Sequence, residues 1–316
     1  MRYSGIGGQA VMEGVMMKNQ DTYAVAVRTA NQEIVVDTKN YKGVLPNPAV
    51  RKIPILRGVV SFIDSLVLGM KTLTYSAGFF EDEEDNKEKQ PVDEEKKKKQ
   101  DDLLMSCTVV FSIVLAIVIF MILPYGLSQL FLKAGWSQTA VSVAEGILRV
   151  AIFFLYMIGI SLMKDIQRVY MYHGAEHKCI NCIEHGLDLT VENVRNSSRQ
   201  HKRCGTSFMF LVIIISVIFF IFIRTSSPVM RVVVRLVLIP VIAGVAYEFI
   251  RLAGKSDHPV VNFISKPGML LQKMTTREPD DAMIEVGIAS VEAVFDWKSY
   301  VAEIRGESPA AKGGTV

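Results

Sequence analysis

The residues best suited to chemistry lie in one segment of the chain. Of the five histidines and four cysteines among 316 residues, four histidines and three cysteines fall within residues 173–204. Imidazole and thiolate groups bind transition metals, and their clustering is unexpected in a chain that is poor in both residue types. The sequence therefore predicts a metal site or a reactive centre in this segment.

Two histidines and a glutamate form a compact motif within the segment. His173 and His177 are four residues apart, and Glu176 lies between them. Residues 164–185 have helical periodicity, so both imidazoles would share one helix face with the carboxylate beside them. The order His-x-x-Glu-His matches the inverted zincin pattern, in which the glutamate is a general base for zinc-dependent hydrolysis.

Two glycines add detail to this helix. Gly186 is expected to end it, because glycine adopts the left-handed conformation that follows many helices. Gly174 lies in its interior at a cost of about 1 kcal/mol relative to alanine. We therefore expect something to approach the helix backbone closely at Gly174.

A catalytic zinc needs a third protein ligand and an open coordination position. The downstream candidates are Glu184, His201 and Cys204. His201 and Cys204 are favoured, because a short connection between two antiparallel spans would return the chain beside the point where it left the membrane.

The same segment also fits a closed structural zinc site. Cys179 and Cys182 form a Cys-x2-Cys pair, and His201 with Cys204 forms a His-x2-Cys pair after eighteen intervening residues. Four such ligands would hold the loop together without binding a substrate. A hydrogen-bonded network without a metal is a third reading, and spacing alone leaves all three open.

The chain is predicted to be a mainly α membrane protein. Half of its residues are hydrophobic and they are concentrated in long runs. A helix needs roughly 20 apolar residues to cross a bilayer, so we expect four transmembrane helices forming a bundle over residues 103–250. The four runs cover residues 103–132, 147–163, 208–223 and 232–250.

The distribution of lysine and arginine predicts the orientation. These residues are abundant before the first run and in the loop over residues 164–207, and scarce in the other two loops. The positive-inside rule then places both termini and the His/Cys loop on the cytoplasmic side of the inner membrane, where thiols stay reduced. The net charge of +3 is too small to suggest nucleic acid, so the expected partners are the lipid bilayer and other membrane proteins.

The part of the chain before the first run divides into three predicted segments. Residues 1–50 are expected to form a small soluble β module, with strands at residues 23–28 and 33–37 joined as a hairpin after a glycine-rich turn. Residues 51–80 contain charges at helical spacing within an apolar stretch, which predicts an interfacial or re-entrant helix. Residues 81–102 are a charge run and are expected to be a disordered linker.

The C-terminal cytoplasmic segment, residues 251–316, is predicted to contain one amphipathic helix. Residues 255–274 hold two prolines and are expected to be irregular. The helix should cover about residues 279–303, with Thr276 or Glu278 as its cap. Its apolar residues recur at spacings of three and four, which predicts a packed face. They are Ile284, Ile288, Val291 and Phe295.

Five motifs in the same order resemble the bacterial YqhQ-like membrane proteins, a domain-of-unknown-function family whose members are described as predicted metal-dependent enzymes. The resemblance covers nearly the whole chain. The motifs are GGQAVMEGVMM from Gly7, HGAEHK from His173, LTVENV from Leu189, RCGTS from Arg203 and TTREPDD from Thr275.

The resemblance favours one ligand set, because the family pattern has no fixed cysteine at position 179. It implies a divalent transition metal, zinc, bound by His173, His177, His201 and Cys204, with Glu176 as acid or base. The resulting hypothesis is a metal-dependent hydrolase acting at the cytoplasmic membrane surface on a peptide, a lipid headgroup or a phosphoester. The alternative is a non-enzymatic accessory or scaffold protein of membrane-protein biogenesis or transport, with a structural metal or none.

Overall fold

The computed structural model describes residues 2–47, 49–81, 94–223, 227–256 and 258–307. They are mainly helical, with a small antiparallel sheet near the N-terminus. The chain divides into two compact units. The first comprises Met1–Phe80, Ile160–Phe210 and Ala243–Val316, and the second comprises Glu81–Gly159 and Leu211–Ile242.

Four antiparallel strands in chain order form the sheet. They are β1 (Gly7–Val11), β2 (Gly14–Asn19), β3 (Thr22–Arg28) and β4 (Ile34–Asn40). The pairing of β3 with β4 confirms the predicted hairpin. The glycine-rich segment forms β1 and β2 as well as the expected turn, in which Glu13 has a φ of 48°.

The two faces of the sheet bury different helices, because alternate side chains of a strand point to opposite sides. One face contributes Val15, Met17 and Ala26 to a core shared with α5 (Lys164–Glu184) and α10 (Asp281–Glu292). The other face contributes Val11 and Met16 to a second core that includes Leu68 of α1 (Leu56–Glu81). The sheet therefore lies between α1 on one side and α5 with α10 on the other.

Among the described residues, four helices are long and apolar enough to cross a membrane. They are Ser106–Lys133, Gln138–Ser161, Gly205–Phe222 and Val229–Ala253. They overlap the four predicted runs and are compatible with a multi-pass membrane protein.

These spans correspond to five of the helices. The first contains the later part of α2 (Glu94–Ile117), a π-helical segment (Val118–Ile122) and α3 (Leu123–Lys133). The others are α4 (Gln138–Ser161), α7 (Gly205–Phe222) and α8 (Pro228–Ala253).

The segments before the first candidate span differ in how well the sequence predicted their structure. Residues 51–80 contain α1, as expected, and its interfacial or re-entrant placement stays a prediction. Of the expected disordered linker, residues 82–93 lie outside the described residues. Residues 94–102 begin α2, since a stretch rich in Glu and Lys has high helix propensity.

The prediction of irregular structure over residues 255–274 is wrong, because α9 (Pro259–Thr275) occupies most of it. Pro259 lies in the first turn, where proline is tolerated, and the helix continues through Pro267. Leu271 and Gln272 of α9 are fully buried. Packing of this face outweighs the helix-breaking tendency of the second proline.

The predicted single C-terminal helix is two helices, α10 and α11 (Trp297–Arg305). Asp280, and not Thr276 or Glu278, caps α10, and its side chain accepts a hydrogen bond from the Met283 backbone N–H. Asp296 caps α11 in the same way. Ile284 and Val291 of the predicted apolar face belong to the core with the sheet and α5. Residues 308–316 lie outside the described part of the chain.

Candidate metal centre

Helix α5 carries two of the predicted ligands and begins just after a short interruption of helical structure. Helix α4 ends at Ser161, and Met163 is extended with a ψ of 129° before α5 starts at Lys164. A non-helical residue therefore separates the two helices. Gly186 has a φ of 74° and follows the end of α5, which confirms the predicted stop.

Gly174 allows the segment before α10 to lie directly on α5. A Cβ atom at this position would be 2.0 Å from the backbone oxygen of Arg277. The Arg277 backbone N–H donates a hydrogen bond to the Tyr170 carbonyl, with an N···O distance of 2.8 Å. This confirms the close approach predicted at Gly174 and shows that a backbone segment makes it, which brings the end of α9 onto the side chain of His173.

Three of the predicted ligands converge. His173, His177 and Cys204 each offer a ligand atom, and these atoms lie within 4.8 Å of one another. The distance from His173 Nε2 to Cys204 Sγ is 3.2 Å. Cys204 directly precedes α7, and both it and His177 are buried, whereas His173 is partly exposed.

Backbone carbonyls orient both imidazole rings. His173 Nδ1 is 2.8 Å from the Thr275 carbonyl oxygen, and His177 Nδ1 is 2.6 Å from that of Arg199. Because a carbonyl oxygen can only accept, Nδ1 must carry the proton in each ring. In the neutral rings, Nε2 then has the free lone pair, which is how metal-binding histidines are commonly held.

The electrostatic environment favours a thiolate at Cys204. Burial raises the pKa of Cys204, but the His173 and His177 rings outweigh it, and the net pKa lies well below its usual range. Burial lowers the pKa of His173, but the Cys204 thiolate and the Glu176 carboxylate outweigh it and raise that pKa to about 9. A lowered pKa favours the thiolate, which is the form that binds metals or acts as a nucleophile.

Glu176 lies beside the three ligand atoms but is not part of their group. Its Oε2 is 3.9 Å from His173 Nε2, and the residue is buried. Burial raises the pKa of Glu176, while the two histidines and a hydrogen bond from the Gly8 backbone N–H partly offset this. A Cβ at Gly8 would be 3.1 Å from Glu176 Cγ, so β1 closes this side of the centre.

His201, the fourth predicted ligand, lies outside the group of three. Its Nε2 is 3.3 Å from Glu184 Oε2, and its ring centroid is 5.9 Å from that of His177. Glu184 also pairs with Arg203 and accepts hydrogen bonds from the backbone N–H and the hydroxyl of Ser4, at 2.9 and 2.7 Å. Glu184 was itself a candidate third ligand, and in the structure Glu184 and His201 bind each other and not the ligand group.

The electrostatics of this second cluster differ from those of the ligand group. Burial raises the pKa of Glu184, but His201 and Arg203 outweigh it and lower that pKa to about 2. Burial lowers the pKa of His201, and Glu184 only partly offsets it. Glu184 is thus an ionised buried acceptor that holds His201, Arg203 and the N-terminal segment together.

The Cys-x2-Cys pair of the structural-zinc reading does not face the ligand group. Cys179 is buried in the core and packs against Gly287 of α10. Its Sγ is 2.9 Å from the point where a Cβ atom at Gly287 would lie. Cys182 Sγ is 3.3 Å from the Asp188 carbonyl oxygen. Neither belongs to the group formed by His173, His177 and Cys204. The alternative with four ligands from Cys179, Cys182, His201 and Cys204 therefore has no common site.

The backbone contributions to this centre carry little signal in the sequence. The carbonyls of Thr275 and Arg199 are groups that every residue supplies, and the N–H of Gly8 is one that every residue except proline supplies. Gly174 indicates that something approaches α5, but it does not identify Arg277 as the partner. Of the residues that orient the ligands, none could be named without the fold.

The protein is therefore a mainly helical chain with four candidate membrane spans and a compact His/Cys/Glu centre next to a small antiparallel sheet. Residues 53–297 match a family described as protein of unknown function (DUF1385), and the chain belongs to that family. It is 36% identical over 286 residues to the uncharacterized protein YqhQ of Bacillus subtilis strain 168, with 90% of each chain covered. This agrees with the resemblance seen in the motifs. No solved structure matches the chain.

Proposed function

We propose that this chain is a multi-pass protein of the cytoplasmic membrane that uses a metal ion, zinc by its ligand types, for hydrolysis at the cytoplasmic surface. The observation that carries the proposal is the convergence of ligand atoms from His173, His177 and Cys204 within 4.8 Å. The Nδ1–H groups of His173 and His177 already donate to backbone carbonyls. Two imidazoles and a thiolate are a donor set that suits zinc.

Charge balance supports a divalent ion at this position. If a metal ion replaces the proton that a pKa of about 9 puts on His173, both imidazoles are neutral, whereas the Cys204 thiolate and the Glu176 carboxylate would contribute one negative charge each. Both acidic groups are buried, and uncompensated buried charge is costly. A divalent cation among them would make the cluster neutral.

Glu176 is the residue proposed for acid–base chemistry. Zinc held by three protein ligands keeps a coordination position open and supplies Lewis acidity. Glu176 lies outside the ligand group, and burial raises its pKa above that of an ordinary glutamate, as acid–base catalysis by a carboxyl group requires. The substrate classes compatible with this chemistry are a peptide, a lipid headgroup and a phosphoester.

Two features support the membrane location. The four apolar helices are long enough to span a bilayer. Lysine and arginine are concentrated before the first span and between the second and third, which favours a cytoplasmic position for the metal centre.

A second candidate function is a non-enzymatic accessory or scaffold protein whose metal is structural. The burial of His177, Cys204 and Glu176 favours this reading, because a closed site needs no access for substrate. Helix α5, the start of α7 and the end of α9 meet at the ligand group. A metal ion there would join three segments, and its binding energy would contribute to folding.

The first part of the test is the metal content of protein purified in detergent. We expect about one metal ion per chain in the wild type. The metal content should be lower by a factor of about ten or more in His173→Ala and Cys204→Ala. His185→Ala is the matched control, because His185 is an exposed histidine just after α5 and outside the ligand group. Metal-free wild-type protein that cannot be loaded with zinc would overturn the metal site.

The second part separates the enzyme from the scaffold. Glu176→Gln keeps the shape of the side chain and removes its basicity, so it should retain the metal and fail to complement a deletion strain. Full complementation by Glu176→Gln, with loss of complementation in Cys204→Ala, would overturn the hydrolase and support the structural metal.

A further inference from the structure

A cationic pocket lies next to the ligand group in the first unit. Its volume is about 530 Å³. Its walls include three basic side chains, two methionines and the last residue of the second candidate span, which are Arg199, Lys273, Arg277, Met171, Met274 and Ser161. Glu278 is the one carboxylate among the described lining residues.

The positive charge of this pocket is only partly compensated. The Arg277 guanidinium donates to Gln167 Oε1 at 2.9 Å and to the Ser161 carbonyl at 3.2 Å, and both acceptors are neutral. Within the described part of the chain, neither Arg277 nor exposed Lys273 forms an ion pair. Glu278 is 3.7 Å from Arg199 and is shared with Lys178.

The geometry of Arg277 distinguishes this pocket from a scatter of surface cations. Its guanidinium is held in place by a backbone carbonyl and a side-chain amide, so its orientation is set without a counterion. A fixed guanidinium binds phosphate oxygens with little further loss of side-chain freedom. Exposed Lys273 on the same wall adds a second, adaptable donor.

The position and lining of the pocket indicate where the anion comes from. Ser161 is the last residue of the candidate span Gln138–Ser161, so in a membrane-embedded chain the pocket lies at the level of the lipid headgroups. Met171 and Met274 provide an apolar wall for the part of a lipid next to its phosphate.

We propose that this pocket binds the phosphate group of an anionic membrane lipid. The proposal rests on the membrane location within the proposed function and does not require the metal. Arg199 and the segment from Thr275 to Arg277 also contact His177, His173 and α5, so the pocket adjoins the ligand group. Among the three compatible substrate classes, this charge favours a phosphate-bearing lipid.

The test compares lipid binding to the full chain in nanodiscs of phosphatidylcholine with and without phosphatidylglycerol. Native mass spectrometry of the released protein should show phosphatidylglycerol retained in preference to phosphatidylcholine. The double variant Lys273→Gln/Arg277→Gln should lose this preference by about tenfold or more. The double variant Lys266→Gln/Arg195→Gln removes the same charge outside the pocket, and we expect it to bind as the wild type does.

Several outcomes decide the proposal. A preference unchanged in the pocket variant, or lost equally in the control variant, would overturn it. If the pocket variant does not fold, the single change Lys273→Gln at an exposed residue should still weaken the preference, and an unchanged preference there overturns the site. Stabilisation of the detergent-purified protein by inorganic phosphate, with no preference for phosphatidylglycerol, would assign the pocket to a soluble phosphate and overturn the lipid.

The same measurement on Cys204→Ala keeps the two proposals separable. A metal-free variant that still prefers phosphatidylglycerol would show that the lipid site stands without the metal centre. Wild-type protein that binds metal but shows no lipid preference would overturn the lipid site and leave the metal centre in place.

Discussion

Two buried polar clusters, one in each unit, satisfy their atoms in different ways. In the second unit, Glu145 accepts hydrogen bonds from Arg149 at 2.8 Å and from Arg235 at 2.9 Å, and all three side chains are buried. Arg149 also donates to the Phe120 carbonyl, and both guanidinium groups lie about 5 Å from the Phe220 ring. Every charge in this cluster therefore faces a partner.

The cluster in the first unit is built the other way round. The Nδ1 atoms of His173 and His177 are satisfied by backbone carbonyls, whereas a ligand atom of each ring lies close to the Cys204 Sγ. Lone pairs that face one another repel unless a proton or a metal ion lies among them. The comparison teaches that burial of polar groups does not by itself indicate a ligand site, whereas the convergence of ligand atoms is what motivates the metal proposal.

The largest expected effect breaks the ion cluster. Glu145→Gln leaves two buried guanidinium groups without their counterion, which should lower the free energy of unfolding by about 3–5 kcal/mol. Thermal unfolding in detergent measures this loss, and the metal content per folded chain should not change. Adding Arg235→Met removes one of the uncompensated charges and should recover part of the stability. Wild-type stability in Glu145→Gln would mean that the cluster is not held by charge.

A smaller effect should come from the packing that positions His173. In Gly174→Ala the new methyl group must displace the Arg277 carbonyl, which it would meet at 2.0 Å. We expect a loss of about 1–3 kcal/mol in stability together with weaker metal binding, because the Thr275 carbonyl moves with Arg277.

Gly78→Ala is the matched control for this change. Gly78 lies in α1, and beyond its own helical turn no atom of the described residues would lie within 4 Å of a Cβ there, so the substitution should be neutral or stabilising. Zinc titration and thermal unfolding of both variants check the prediction. Wild-type metal affinity in Gly174→Ala would show that this contact does not hold the ligand.

The smallest effect tests whether destabilisation alone releases the metal. Asp280→Ala removes the cap of α10 and should cost about 1 kcal/mol. The ligand group does not include α10, so metal content should equal that of the wild type. A loss of metal in Asp280→Ala similar to that in His173→Ala would mean that ligand-variant data report folding and not coordination.

The sequence predicted the elements of this fold better than their packing. The four apolar runs, the β3–β4 pair, α5 and its stop at Gly186 depend on residues close together in the chain, so composition and periodicity reveal them. Helix α9 was missed because its stability comes from burial of Leu271 and Gln272 against other segments, which local propensity cannot report.

The candidate site divides in the same way. Residue types and i, i+4 spacing were enough to select His173, His177 and Glu176, the expected return of the chain added His201 and Cys204, and the motif resemblance favoured this set. Only the tertiary structure separated His201 from this group, by pairing it with Glu184, and placed Cys179 in the core.

What the sequence determined by itself was therefore the membrane-type helical architecture and the placement, on one helix face, of side chains of the types that can bind a metal. Only the tertiary structure decided which of these side chains bring their ligand atoms together. That outcome depends on carbonyls such as that of Thr275, which is 102 residues from His173 in the chain. Every residue carries a carbonyl, so only packing can select the one that orients a ligand.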